Sequence, residues 1–214
     1  MKEKDRARPI EYFISGRFSA LKNIMAVAIN AVARETVVLE ATGPSILTFP
    51  TEQSGKVYPL RSFSEPALIG ATGIAVDPAH QELAVSRSGE PAILFYSLQA
   101  DNHGRLPENS KSLLRKINGD KTTLSTPSSL VILKDEVFVT DQSANQILVF
   151  ERKASGDASP LRTIRGELTG LDSPVSVQFL AHSRILEVIN QNGSIVRFKL
   201  TDSGNVAPAS RAQR

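Results

Sequence analysis

The sequence predicts an all-β fold, a β-propeller of four four-stranded blades, and three observations carry that prediction. Apolar strands of one type recur at near-constant spacing: Ser45-Ile46-Leu47-Thr48-Phe49, Ala92-Ile93-Leu94-Phe95-Tyr96, Gln146-Ile147-Leu148-Val149-Phe150 and Ser194-Ile195-Val196-Arg197-Phe198. Each is followed by a glycine and then a proline, at Gly55 and Pro59, Gly104 and Pro107, Gly156 and Pro160, and Gly204 and Pro208. Ahead of the first strand of each unit stands a leucine landmark, Leu68-x-x-Ala71, Leu124-x-x-Pro127 and Leu171-x-x-Pro174, with a weaker copy at Leu21-x-x-Ile24. Short strands repeated at this period indicate a propeller or another stacked array. An ordinary β-sandwich has no reason to hold these landmarks in one phase.

The units follow in order. Residues 1–9 form a polar tail, and Ile10–Ile14 is the first apolar stretch with strand character. The first unit covers about 24–63 and holds the β-branched run of residues 35–39 before Ser45–Phe49. The second, about 73–117, reads as strands at Gly73–Asp77, Glu82–Ser86, Ala92–Tyr96 and near Leu113–Ile117, because β-branched and apolar runs alternate there with turn residues. Asp77-Pro78 starts a turn, and Gly89-Glu90-Pro91 cannot continue a central strand, since proline brings no N–H to a ladder. The third, about 128–164, gives Ser128–Ile132, Glu136–Thr140, Gln146–Phe150 and Pro160–Ile164, with Lys134-Asp135 as a tight polar connection. The fourth, about 175–198, ends at Phe198 and leaves residues 201–214 as a C-terminal tail.

The third unit resembles an NHL-repeat propeller unit. The likeness is carried by residues 140–150 (Thr-Asp-Gln-Ser-Ala-Asn-Gln-Ile-Leu-Val-Phe), then by residues 156–166 and by the run from Leu168 to Pro174; residues 73–78 match as well, while residues 34–40 lack the usual acidic and asparagine turn. The resemblance implies that the strand after the leucine landmark lies innermost and the Pro-Leu-Arg-Thr-Ile-like strand outermost. On that order the chain begins with an outermost strand, Ile10–Ile14, and the last unit lacks its own. The N-terminal strand is therefore expected to pair beside Ile195–Phe198 and close the ring, because an uncovered edge strand invites aggregation. Gly204–Pro208 would begin a further outer strand that never arrives. Four blades leave a narrow axial channel, for which Ala26, Ala28, Ala75, Ser128, Ser129 and Ser176 are suitably small. A monomer is favoured over a ring shared by two chains.

Composition narrows the function classes. The chain has 214 residues and 41% hydrophobic content, enough for a sizeable core, and no cysteine, so neither disulfides nor thiolate chemistry arise. No apolar run is long enough to span a bilayer, so no membrane partner is expected. Met1–Arg6 leads into no signal-type apolar region, so a cytoplasmic location is expected, or an exported one if a signal segment is missing from this chain. The pI of about 9.3 suggests nucleic acid, but the net charge of +3 resides in the two tails and leaves the body neutral. Nucleic acid is for that reason disfavoured as a partner. Arg61, Arg115, Lys116 and Arg162 fall on outer strands, where charge is expected to be solvated and to guard the edge.

Catalysis finds little support. A metal-dependent, lactonase-like hydrolase with an axial site would need carboxylates with Asn or His converging at the axis. His80 and His182 lie in turns and His103 in the long connection Ser97–Ser112, while Asp77 and Asp141 are expected to cap their own turns. Glu40 and Glu187 could approach one end of the channel, yet nothing around them repeats. No nucleophile motif or phosphate loop is present, and no cofactor or metal site is assigned. The sequence thus favours a non-enzymatic scaffold that binds an unidentified protein or small ligand through polar loops gathered on one face. The candidates there are Arg87, Glu90, Asp141, Gln142, Asn145, Asn190, Gln191 and Asn192. An RNA-binding propeller is the further alternative.

Overall fold

A computed structural model describes Ile14 and residues 19–98 and 113–213, so residues 1–13, His103 and Gly104, and most of the connection Ser97–Ser112, lie outside the described residues. Four antiparallel sheets of four strands make a four-bladed β-propeller. Blade 1 holds β1 (Ile24–Asn30), β2 (Glu35–Glu40), β3 (Ser45–Pro50) and β4 (Arg61–Ser64); blade 2 holds β5 (Ala71–Asp77), β6 (Glu82–Arg87), β7 (Ala92–Ser97) and β8 (Leu113–Ile117). Blade 3 holds β9 (Pro127–Leu133), β10 (Glu136–Asp141), β11 (Gln146–Glu151) and β12 (Arg162–Arg165); blade 4 holds β13 (Pro174–Leu180), β14 (Ile185–Asn190), β15 (Ile195–Lys199) and β16 (Ser210–Ala212). In every sheet the strands lie side by side in chain order. Third strands such as β7 and β11 are buried on both faces, which is why they read as continuous apolar runs.

The landmarks of the sequence are the joints between blades. Leu68 packs with Phe63, Ile74, Leu94 and Tyr96 between blades 1 and 2. Leu124 lies with Ile117, Leu130, Leu148 and Phe150 at the second joint, and Leu171 with Ile164, Val177, Val196 and Phe198 at the third. The glycine landmark stitches the backbones together. Gly156 donates its N–H to Lys116 O and Gly204 to Thr163 O, both at 2.7 Å, so that β8 and β12 bridge the following blade. Both glycines hold left-handed backbone (φ 67° and 73°), where a Cβ would be strained.

Two expectations are corrected at the ends of the chain. The outer strand of blade 4 is β16, whose Arg211 pairs with Val196, and not the N-terminal segment. Residues 201–213 are accordingly no tail: Ala209 N–H donates to Arg197 O at 2.7 Å, as Leu161 donates to Val149 O ahead of β12 and Leu60 to Thr48 O ahead of β4. Ile14, the described end of the Ile10–Ile14 stretch, bridges Gly55 of blade 1, and with Leu21 it packs on Leu47 and Phe49. It stands where Ile117 and Ile164 stand at their joints.

The outer-strand arginines also differ from expectation. Arg115 donates from both terminal nitrogens to the Glu82 carboxylate at 3.0 Å, reaches Arg152 O of the next blade at 2.6 Å, and lies 3.8 Å from the centre of the Phe95 ring. Arg162 repeats this with Glu136 at 2.8 Å and Leu200 O at 2.6 Å, and Arg61 pairs with Glu35. These side chains are mostly buried. They clamp an outer strand to its own second strand and, in blades 2 and 3, to the next blade as well. The hydrogen bond to Arg162 outweighs the opposing effect of burial and holds Glu136 below its ordinary value, while Arg162 is correspondingly raised.

Candidate binding surfaces

The loops between second and third strands gather at one end of the propeller, and most of their polar groups are engaged within the fold. Asp141 is fully buried, and its carboxylate accepts N–H groups from Ser125 at 2.6 Å and Thr126 at 2.8 Å. Asn190 accepts from Asp172 N–H at 3.1 Å and donates to Gly170 O at 2.9 Å. Glu40 accepts from Asn23 N–H at 2.7 Å and Gly43 N–H at 2.9 Å. Burial would raise the Glu40 pKa, but the N–H groups of Gly43, Asn23 and Thr42 prevail and lower it. In blade 2 the same position is Arg87, which donates to Ala67 O at 3.3 Å and pairs with Glu90. The last residue of each second strand thus pins the connector that leads into its own blade. Asp77 does cap its own turn, accepting from Ala79 and His80 N–H groups, whereas Asp141 pins a distant segment instead.

Of the remaining loop candidates, Gln142, Gln191 and Asn145 link blade 3 to blade 4, and Asn192 ties the blade 4 loop to its own connector. Gln142 donates to Gln191 Oε1 at 3.3 Å, Asn145 accepts from Ser173 N–H at 2.6 Å, and Asn192 donates to Asp172 at 2.9 Å. Glu90, Asn145, Gln191 and Asn192 are exposed.

The axial groove, about 400 Å³, is lined by the inner strands of all four blades. Ser128, Ser129, Ser176 and Ala26 contribute to it as their size suggests, whereas Ala75 is buried in the second joint and Ala28 packs against the first. Thr72 donates to Pro127 O at 2.8 Å and Ser128 to Pro174 O at 2.7 Å, so these hydroxyls latch one inner strand to the next. Among the described residues no carboxylate lines the groove. Glu187 accepts from Gln178 at 2.6 Å and Arg197 at 2.7 Å. Among the described residues no three His, Asp or Glu side chains gather as a metal-binding group, and no helix is long and apolar enough to cross a membrane.

No family model matches the chain, and no curated protein matches it. Among solved structures, it is similar to a chain of Kuenenia stuttgartiensis hydrazine synthase, with a TM-score of 0.63 and 13% identity over 90% of this chain. The likeness is one of fold. The match spans 49% of the hydrazine synthase chain, about half its length.

The feature that sequence reasoning missed lies at the two ends of the arc. Successive inner strands pack as β1 on β5, β5 on β9 and β9 on β13, but β13 and β1 form no such joint. The face of β1 that would meet a preceding blade carries Val27 and Ile29, while Met25 lines the axial groove. Val27 and Ile29 occupy the positions of Ile74 and Val76 in β5 and of Leu130 and Ile132 in β9, which pack into joint cores. In β1 each is 53% exposed. Blade 4 ends otherwise. Where blade 3 places Val131, Phe138 and Val149 across its strands, blade 4 places Gln178, Glu187 and Arg197. Aligning the repeats column by column exposes this change; the landmarks alone do not.

Proposed function

We propose that the chain is a non-enzymatic interaction scaffold, and that the apolar face of blade 1 seats a β-sheet of a protein partner. The carrying observation is the uncovered pair Val27 and Ile29, half exposed at positions whose counterparts are joint core, continued by half-exposed Ile24 and by Met25 at the axial groove. Exposed apolar residues in a contiguous strip, unlike scattered ones, mark an interaction site. The other joints define the occupant: a sheet face bearing apolar side chains, as Ala75, Ala84 and Phe95 do at the second joint and Val131, Phe138 and Val149 at the third. Ile14 and Leu21 already cover the outer half of this face. On the loop side, Glu90, Gln191 and Asn192 are turned outward and available to a partner reaching round the rim. The unit resembling an NHL repeat is consistent with a scaffold role, since its motifs are structural.

A photocrosslinking amino acid at Val27, in cells that make the protein, tests this. The expected result is a discrete adduct with another protein, with none from the same probe at exposed Lys199 of blade 4. An absent Val27 adduct, or equal adducts from both positions, would refute the proposal. An adduct of two copies would replace the partner with self-association.

A further inference from the structure

We propose that the groove between blades 3 and 4 is a binding site for an amphipathic carboxylate. The groove has a volume of about 590 Å³, within the range of small-molecule sites. Its apolar surface comes from Leu133, Phe179 and Leu200 above the buried Phe138, and its rim carries Lys134 and Arg184. Neither cation forms an ion pair with a described residue. Two carboxylates also lie there. Glu136 is already held by both terminal nitrogens of Arg162, which leaves Asp135 against two cations. An apolar body resting on Phe179, Leu133 and Leu200 would set its carboxylate between Lys134 and Arg184. Bringing the ligand out of water supplies the binding, and the rim charges select the sign of its head group.

The neighbouring joint shows why this space is open. Two residues beyond the apolar core of the third strand stands Arg152 at the second joint and Leu200 at the third. Arg152 is 4% exposed, reaches Glu82 at 3.1 Å and approaches Asp77 at 3.8 Å, so a guanidinium occupies the room between those blades. At the third joint the counterpart of Asp77 is Leu133, and the shorter Leu200 leaves the room unfilled by any charged group of the fold. The turn helps to frame it: Lys134 and Arg184 both take left-handed backbone (φ 54°), at the ends of the β9–β10 and β13–β14 hairpins.

The test uses the whole chain with dodecanoate as the probe, followed by displacement of the fluorescent anion anilinonaphthalene sulfonate. Dodecanoate is expected to displace the dye, and dodecyltrimethylammonium, with the same tail and the opposite charge, at least tenfold less well. Leu200→Arg copies the native plug of the second joint and is expected to abolish displaceable binding; far-UV circular dichroism checks that it folds. Arg184→Glu, at an exposed turn, is expected to weaken dodecanoate about tenfold and to fold regardless. Val27→Lys separates this site from the apolar strip of blade 1 and is expected to leave dodecanoate binding unchanged. Equal binding of both detergents, or binding unaffected by Arg184→Glu and lost with Val27→Lys, would overturn the proposal.

Discussion

Replacing Glu82 by Ala is expected to be among the most destabilising single changes in the molecule. Its carboxylate sits between two guanidinium groups, Arg115 at 3.0 Å and Arg152 at 3.1 Å, and its side chain is 13% exposed. Removing it leaves two like charges together at the second joint. Breaking a buried ion pair from one side costs about 3–5 kcal/mol. Here the lower end applies, since Arg115 keeps Arg152 O and the Phe95 ring, and Arg152 keeps Asp77. With a urea dependence of about 2 kcal/mol per molar, a loss of about 3 kcal/mol lowers the unfolding midpoint by about 1.5 M. Urea titration followed by far-UV circular dichroism reads this directly, which suits a chain without tryptophan. A second substitution sharpens the test. Arg152→Leu installs the residue that the third joint uses naturally, so the double variant Glu82→Ala with Arg152→Leu should recover part of the loss, giving a coupling above about 1 kcal/mol. A midpoint shift under about 0.5 M for Glu82→Ala, or strict additivity in the double variant, would refute the clamp.

Two further outcomes follow from the same accounting of buried groups. Asp141→Ala strips the acceptor from the Ser125 and Thr126 N–H groups and should cost about 1–3 kcal/mol, measured by the same titration; Asp141→Asn, which keeps one oxygen, should cost less. Stability should also fall in acid. Glu136 and Glu40 both have folded-state pKa values below the ordinary 4.5, so their contributions are complete above that value and are lost as pH falls through the lower folded values. The urea midpoint should therefore decline below about pH 4.5, and Glu136→Gln should flatten that decline; an unchanged slope would remove Glu136 from the account.

The repeat made the blade count and most strands legible because strand pairing and burial act locally on side-chain type. The span Glu136–Thr140 became Glu136–Asp141, and Gln146–Phe150 became Gln146–Glu151. The outer strands were less legible. Pro160–Ile164 shifted to Arg162–Arg165, since proline has no N–H to give the ladder. Ser210–Ala212 was missed outright, for its residues carry no β-branched or large apolar side chain, and its pairing with β15 is imposed by the blade rather than by propensity. The arginine clamps escaped for a different reason. Glu35, Glu82 and Glu136 begin their second strands and Arg61, Arg115 and Arg162 lie on the outer strands, a repeat of pairs that is visible only once the outer strand is known to fold back over the second strand's start. Of the loop-face candidates, Asp141 and Asn190 looked like surface polarity because buried and exposed carboxylates or amides read alike in sequence.

The two ends of the arc decide how the propeller can be extended. A ring shared by two copies would set the last blade of one against blade 1 of the other. That joint would press Gln178, Glu187 and Arg197 onto Val27 and Ile29, withdrawing a paired carboxylate and guanidinium from water against a mainly apolar surface. The attraction within such a pair rarely offsets that desolvation. The apolar cores of the second and third joints show what Val27 and Ile29 require instead: apolar side chains on the facing sheet. Blade 4 has the polar outer surface of a capping repeat, and blade 1 has the inner surface of a repeat with a neighbour. On the proposed reading association is directional: it takes place at the first blade, and the polar face of the last blade disfavours a second copy of this chain as the occupant.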